Sequence, residues 1–62
     1  MDIGKKLRDA RNAAGLTQES AAESLGVSRQ SVSNWETGKT YPDIVSVIRM
    51  SGLYSVSLDC LL

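Results

Sequence analysis

Apolar and small residues recur along this chain at helical spacing. Between Asp2 and Gly15, the residues Ile3, Leu7, Ala10 and Ala14 fall at i, i+4, i+7 and i+11, one face of an amphipathic helix. Asp2 is placed to cap that helix and Gly15 to stop it. A second segment opens at Thr17, carries Ala21, Ala22 and Leu25 on its buried face, and ends at Gly26. A third opens at Ser28 and turns Val32 and Trp35 inward. A fourth starts after Pro42, with Asp43 as cap and Ile44, Val47, Ile48 and Ser51 in line. A short fifth, capped by Ser57, supplies Leu58, Leu61 and Leu62. Gly15, Gly26, Gly38, Tyr41-Pro42 and Gly52 punctuate the series. Strand-like alternation occurs only in SVSLD, which is too short to stand alone. The pattern predicts an all-α chain of five short helices, with Leu7, Leu25, Val27, Val32, Trp35, Ile44 and Ile48 in its core.

The second and third segments read as one unit, joined by a tight Gly26-Val27 turn. Gly26 can take the positive φ that reverses the chain, and Val27 can fill the space between the two helices. A helix-turn-helix has this form in sequence. At about 100° per residue, Arg29, Gln30, Ser33, Asn34 and Thr37 face away from Val32 and Trp35. That outer face has no acid. It offers a guanidinium, two side-chain amides and two hydroxyls, groups that match base edges in the major groove. An ordinary solvated helix face would instead mix in Glu and Lys, which are better helix formers.

Size and composition narrow the options. The 62 residues make one domain, here taken as residues 1–62, either whole or the N-terminal part of a longer protein. One cysteine, Cys60, allows no internal disulfide, and a chain without histidine has no evident metal site or nucleophile–base pair. No metal, cofactor or catalytic activity is expected, and Cys60 is expected to pack as a small apolar residue. No apolar run reaches the roughly 20 residues of a membrane span, and no secretory h-region follows the N-terminal lysines. The expected location is the cytoplasm. Formal net charge is zero, so a nucleic-acid partner requires clustered rather than general basicity.

Thr17-Gln18, Ala22, Leu25-Gly26-Val27-Ser28, Val32, Trp35-Glu36, Gly38-Lys39, Pro42 and the tail from Leu53 to Asp59 together resemble the Cro/CI-type helix-turn-helix family of phage and bacterial transcription regulators. The resemblance runs from Ile3 to Leu62. It implies a compact five-helix, lambda-repressor-like domain that binds double-stranded DNA as a homodimer on a palindromic site, as a repressor, with its third helix in the major groove. Carried over by position, it assigns base contacts to Arg29, Gln30 and Asn34, with Ser33 a further groove-facing candidate. Gln18, Ser28 and Lys39 match backbone-contacting positions, and Thr40 extends that set. Arg11 and Glu36 match a salt bridge between the first and third helices. Their places beside the apolar faces of Ala14 and Trp35 agree with it.

Departures from the family pattern carry their own expectations. Ala21 stands where leucine is usual, leaving space for Trp35 or Met50 to fill. Cys60 stands where a glutamate often completes a capping box with Ser57. Val45, Met50, Tyr54, Leu58 and Leu62 are expected to offer apolar surface for pairing. The alternative function is a protein-interaction module on the same fold without DNA binding. Acidic or apolar groups on the face of Arg29, Gln30, Ser33 and Asn34 would favour it.

Overall fold

The computed structural model describes residues 2–61. Its elements are α1 (Ile3–Ala13), α2 (Gln18–Leu25), α3 (Arg29–Thr37), α4 (Ile44–Tyr54) and α5 (Leu58–Leu61), with no strand among the described residues. Four helices start where the polar residues of the sequence place them. Asp2 Oδ1 accepts from Lys5 N at 3.0 Å, Ser28 Oγ from Ser31 N at 3.1 Å and Asp43 Oδ2 from Ser46 N at 3.4 Å. Thr17 and Ser20 cap α2 reciprocally, each side chain accepting the other's backbone N–H at 3.0 Å. These bonds satisfy N–H groups that a helix start leaves without internal partners. At Asp43 the Ser46 hydroxyl, donating at 2.6 Å, holds the carboxyl below its ordinary pKa. This cap is therefore intact at neutral pH and is lost as acid protonates the carboxylate.

Packing settles which helix faces are inside. Leu7, Ala21, Ala22, Leu25, Val32, Trp35, Val47, Met50, Tyr54 and Leu61 form one buried cluster, against which Val27 packs half-buried. In α1, Ile3 and Ala10 are half-buried, while Ala14, at the C-cap, is exposed. Ala21 is fully buried, and Trp35 and Met50 lie in the same cluster.

The inward face of α4 differs from the expected one. Ile44 and Ile48 are 61% and 51% exposed, while Val47, Met50 and Tyr54 are buried. The helix is apolar on nearly every side, so periodicity admits two faces. The i, i+3, i+7 face carries the larger side chains and is the one that packs. The same choice removes Met50 and Tyr54 from the candidate pairing surface and leaves Val45 and Leu58 on it. Leu62 lies outside the described residues.

Gly52 does not end α4. The helix runs on to Tyr54 and stops at Ser55, which takes the left-handed conformation at φ 57°. Running on through Leu53 is what brings Tyr54 into the core. Cys60 is exposed rather than packed, and its Sγ accepts a bond from Ser57 Oγ at 3.3 Å. A four-residue helix has too little inward surface to bury it along with Leu61.

One close approach fixes α3. A Cβ on Gly4 would lie 2.6 Å from the Glu36 carbonyl oxygen and 2.9 Å from that of Trp35. Glycine lets the backbones of α1 and α3 touch at the C-terminal half of α3.

Candidate nucleic-acid interface

The turn between α2 and α3 is built from Gly26 and Val27. Gly26 adopts φ 73°, which L side chains rarely take, and its N–H bonds back to α2. Val27 N then donates to Ala22 O at 3.0 Å, so its side chain packs against the core. Gly26, Val27 and the cap Ser28 thus reverse the chain, and α3 starts at Arg29.

With Val32 and Trp35 docked, the opposite side of α3 faces solvent. Arg29 and Gln30 are exposed, and Ser33 and Asn34 half-buried. Gln30 Nε2 donates to Asn34 Oδ1 at 3.0 Å, one turn along the helix. That bond uses Gln30 Nε2 and Asn34 Oδ1 and so leaves the Gln30 Oε1 acceptor and the Asn34 Nδ2 donor, the pair of functions an adenine edge requires. At the C-terminal end the N–H groups of Lys39 and Thr40 both reach Asn34 O, at 2.9 and 3.4 Å. The loop that carries these two exposed residues is thereby tied to the last turn of α3. Ser28 is exposed and already employed as a cap, its Oγ also 3.0 Å from Ser31 Oγ.

The acid of α3 is Glu36, and it points inward. Arg11 Nε donates to Glu36 Oε2 at 2.7 Å and Arg11 Nη2 to Oε1 at 3.0 Å, while Arg11 Nη1 reaches Leu16 O at 2.8 Å. Both residues are only 8% exposed. Hydrogen bonding to Glu36 raises the Arg11 pKa against the opposing effect of burial, so the guanidinium stays charged. Beside it, burial and the Glu36 charge push up the Tyr54 phenol, which therefore remains neutral at physiological pH. The outward face of α3 consequently carries Arg29 and no negative charge.

Two contacts here were not legible in the sequence. Gln18 Nε2 donates to Glu36 Oε1 at 3.1 Å, and Gln18 Oε1 accepts from Arg29 Nη1 at 3.5 Å. They bring together residues 18 and 11 positions apart, and neither helical period nor residue type signals the pairing. Gln18, at the first position of α2, is thus half-buried between the ion pair and the outward face of α3.

Comparison with known proteins agrees with this geometry. A helix-turn-helix family model matches residues 7–59. The HTH-type transcriptional regulator ImmR of Bacillus subtilis (strain 168) is 44% identical over all 62 residues, which cover 49% of its length. The HTH-type transcriptional activator BcrR of Enterococcus faecalis is 45% identical over 62 residues, covering 30% of its length. This chain therefore spans half or less of these curated relatives. The P22 c2 repressor protein, solved in complex with synthetic operator 9T, superposes with a TM-score of 0.91 at 27% identity, over 100% of this chain and 94% of that one. The restriction-modification controller protein C.AhdI from Aeromonas hydrophila gives 0.89 at 28% identity, over 98% and 92%. With its five-helix architecture and its Gly26-Val27 turn, the chain belongs to the Cro/CI-type helix-turn-helix family of transcription regulators.

Proposed function

We propose that residues 1–62 form a sequence-specific double-stranded DNA-binding unit of a cytoplasmic transcription repressor, with α3 as the helix that reads the major groove. The observation that carries this reading is the outward face of α3. Arg29, Gln30, Ser33 and Asn34 stand there without an acidic neighbour on the helix, because Glu36 is buried against Arg11. The same fold occurs in a repressor solved on its operator. Arg29 suits guanine, and the linked amides of Gln30 and Asn34 suit adenine. Gln18, Ser28, Lys39 and Thr40 flank that face and would hold the sugar–phosphate backbone; Gln18 retains one Nε2 proton for it, at the N-terminus of α2.

Selection of bound sites from random duplex DNA tests the reading directly. It should return a preferred site, and recovery of no enriched sequence would refute base reading. On that site Gln30→Ala should cost about 1–3 kcal/mol at one base-pair position. Lys39→Ala should instead weaken binding to every duplex and lower the salt slope by about one counterion. Equal losses on matched and scrambled DNA for Gln30→Ala would remove it from the base contacts.

The proposal includes pairing of two copies through α4. Ile44, Val45 and Ile48 are all exposed on that helix. Two-fold pairing would set the two α3 helices about 34 Å apart, one turn of duplex. Ile48→Lys should leave the fold intact, since the side chain is 51% exposed, and weaken self-association in sedimentation at least tenfold. Unchanged sedimentation would place the pairing surface elsewhere.

A further inference from the structure

A chain of polar contacts runs from the inside of the domain to the face proposed to read DNA. Leu16 O accepts from Arg11, Arg11 grips both oxygens of Glu36, Glu36 Oε1 accepts from Gln18 Nε2, and Gln18 Oε1 faces Arg29 Nη1. Each link constrains the next. The Glu36 side chain is 3% exposed and held at both oxygens, so it cannot turn. Both Glu36 oxygens accept, Oε2 from Arg11 and Oε1 from Arg11 and Gln18, so the Gln18 amide offers it Nε2. The carbonyl end of that amide is then the end left toward Arg29.

We infer that Glu36 is a positioning residue for base recognition: acting through the amide of Gln18, it sets where the Arg29 guanidinium sits. The inference rests on the DNA-reading role proposed above and adds a residue that touches no base. Its physical content is the sense of one amide. With Oε1 outward, Gln18 attracts an N–H of Arg29 without neutralising its charge. Four of the five guanidinium donors remain for guanine. With the amide reversed, N–H groups would meet N–H groups and Arg29 would be pushed away. An exposed arginine otherwise samples many rotamers, and each ordered one lost on binding lowers affinity.

A double-mutant cycle between Gln18→Ala and Arg29→Ala, measured on the selected duplex and its single-base variants, tests the outer link. The expected coupling is about 3- to 10-fold, confined to the base pair that Arg29 reads. Equal loss on all duplexes, the same with and without Arg29, would make Gln18 a phosphate contact alone and overturn the inference. The inner link is tested by Arg11→Met with Glu36→Gln, which removes both charges together and leaves an amide that accepts either orientation of Gln18. Discrimination at the Arg29 base pair should fall several-fold while that at the Asn34 base pair stays. Full discrimination in this variant, folded by circular dichroism, would reduce Glu36 to a clamp between α1 and α3. Side-chain amide exchange by NMR reads the relay without DNA. One Gln18 Nε2 proton should exchange more slowly than those of Gln30 and lose that protection in the double variant. Absence of the slow proton overturns the relay by itself. A slow proton in a protein that selects no duplex would instead refute the DNA reading, and with it the role of Glu36 in recognition.

Discussion

Glu36→Ala is expected to destabilise the domain by about 3–5 kcal/mol, the cost of stranding a buried charge. The Arg11 guanidinium would keep Leu16 O but lose its acceptors at Nε and Nη2, in a setting only 8% exposed. Gln18 Nε2 would lose its acceptor as well. A domain of 62 residues has a total stability of roughly 3–9 kcal/mol at the usual 0.05–0.15 per residue. The substitution therefore takes a third or more of it, and a large unfolded fraction is expected wherever the total lies at the lower end of that range. Arg11→Met with Glu36→Leu should behave differently, remaining within about 1 kcal/mol of the parent or exceeding it, because no charge is stranded. Urea titration followed by the fluorescence of Trp35, the single tryptophan, measures both. A loss below about 1 kcal/mol for Glu36→Ala would mean that water reaches Arg11 and the pair is worth no more than a surface bridge.

Gly4→Ala is the second large effect, and its sign opposes helix propensity. Within a helix, alanine is ordinarily better than glycine by about 1 kcal/mol. Here the added methyl would meet two carbonyl oxygens of α3 at 2.6 and 2.9 Å. Neither is the end of a flexible side chain, so α1 and α3 must separate. A net cost of about 1–3 kcal/mol is expected, as for overpacking. Gly52→Ala supplies the contrast. It lies within α4, and a Cβ there meets nothing within 4 Å, so it should stabilise by about 0.5–1 kcal/mol. The two midpoints should move in opposite directions. If both rise, the contact between α1 and α3 is looser than the backbone positions indicate.

These two sites show what a sequence reading can and cannot reach. Local chemistry was legible: Asp2, Thr17, Ser28 and Asp43 cap helices because their side-chain oxygens are the nearest acceptors for free N–H groups. The turn at Gly26 and the docking of Val32 and Trp35 were legible for the same reason, as short-range pattern. The inward side of α4 was not, because a helix bearing Ile44, Val45, Val47, Ile48, Met50, Leu53 and Tyr54 satisfies the period on more than one side. Only the partners it meets decide, and those are set by the whole fold. Gly4 illustrates the same limit. Glycine inside a helix is ordinarily a weak point, and only the close approach of α1 to α3 makes it a requirement here. At the candidate interface the outward set on α3 followed from period and residue type. The bonds that join Gln18 to Glu36 and Arg29 are tertiary and leave no periodic trace.

The division of α3 into a docked side and a free side has an evolutionary consequence. Among the described residues Gln30 is exposed and its side chain bonds within its own helix, to Asn34. Replacing such surface residues typically changes stability by no more than about 0.5 kcal/mol. On the proposed DNA reading, descendants of this gene can therefore drift to new operator preferences at position 30 without endangering the fold. Position 29 is less free, since its occupant must suit the carbonyl that Gln18 presents. On that reading new specificities should arise first at 30, with changes at 29 accompanied by changes at 18.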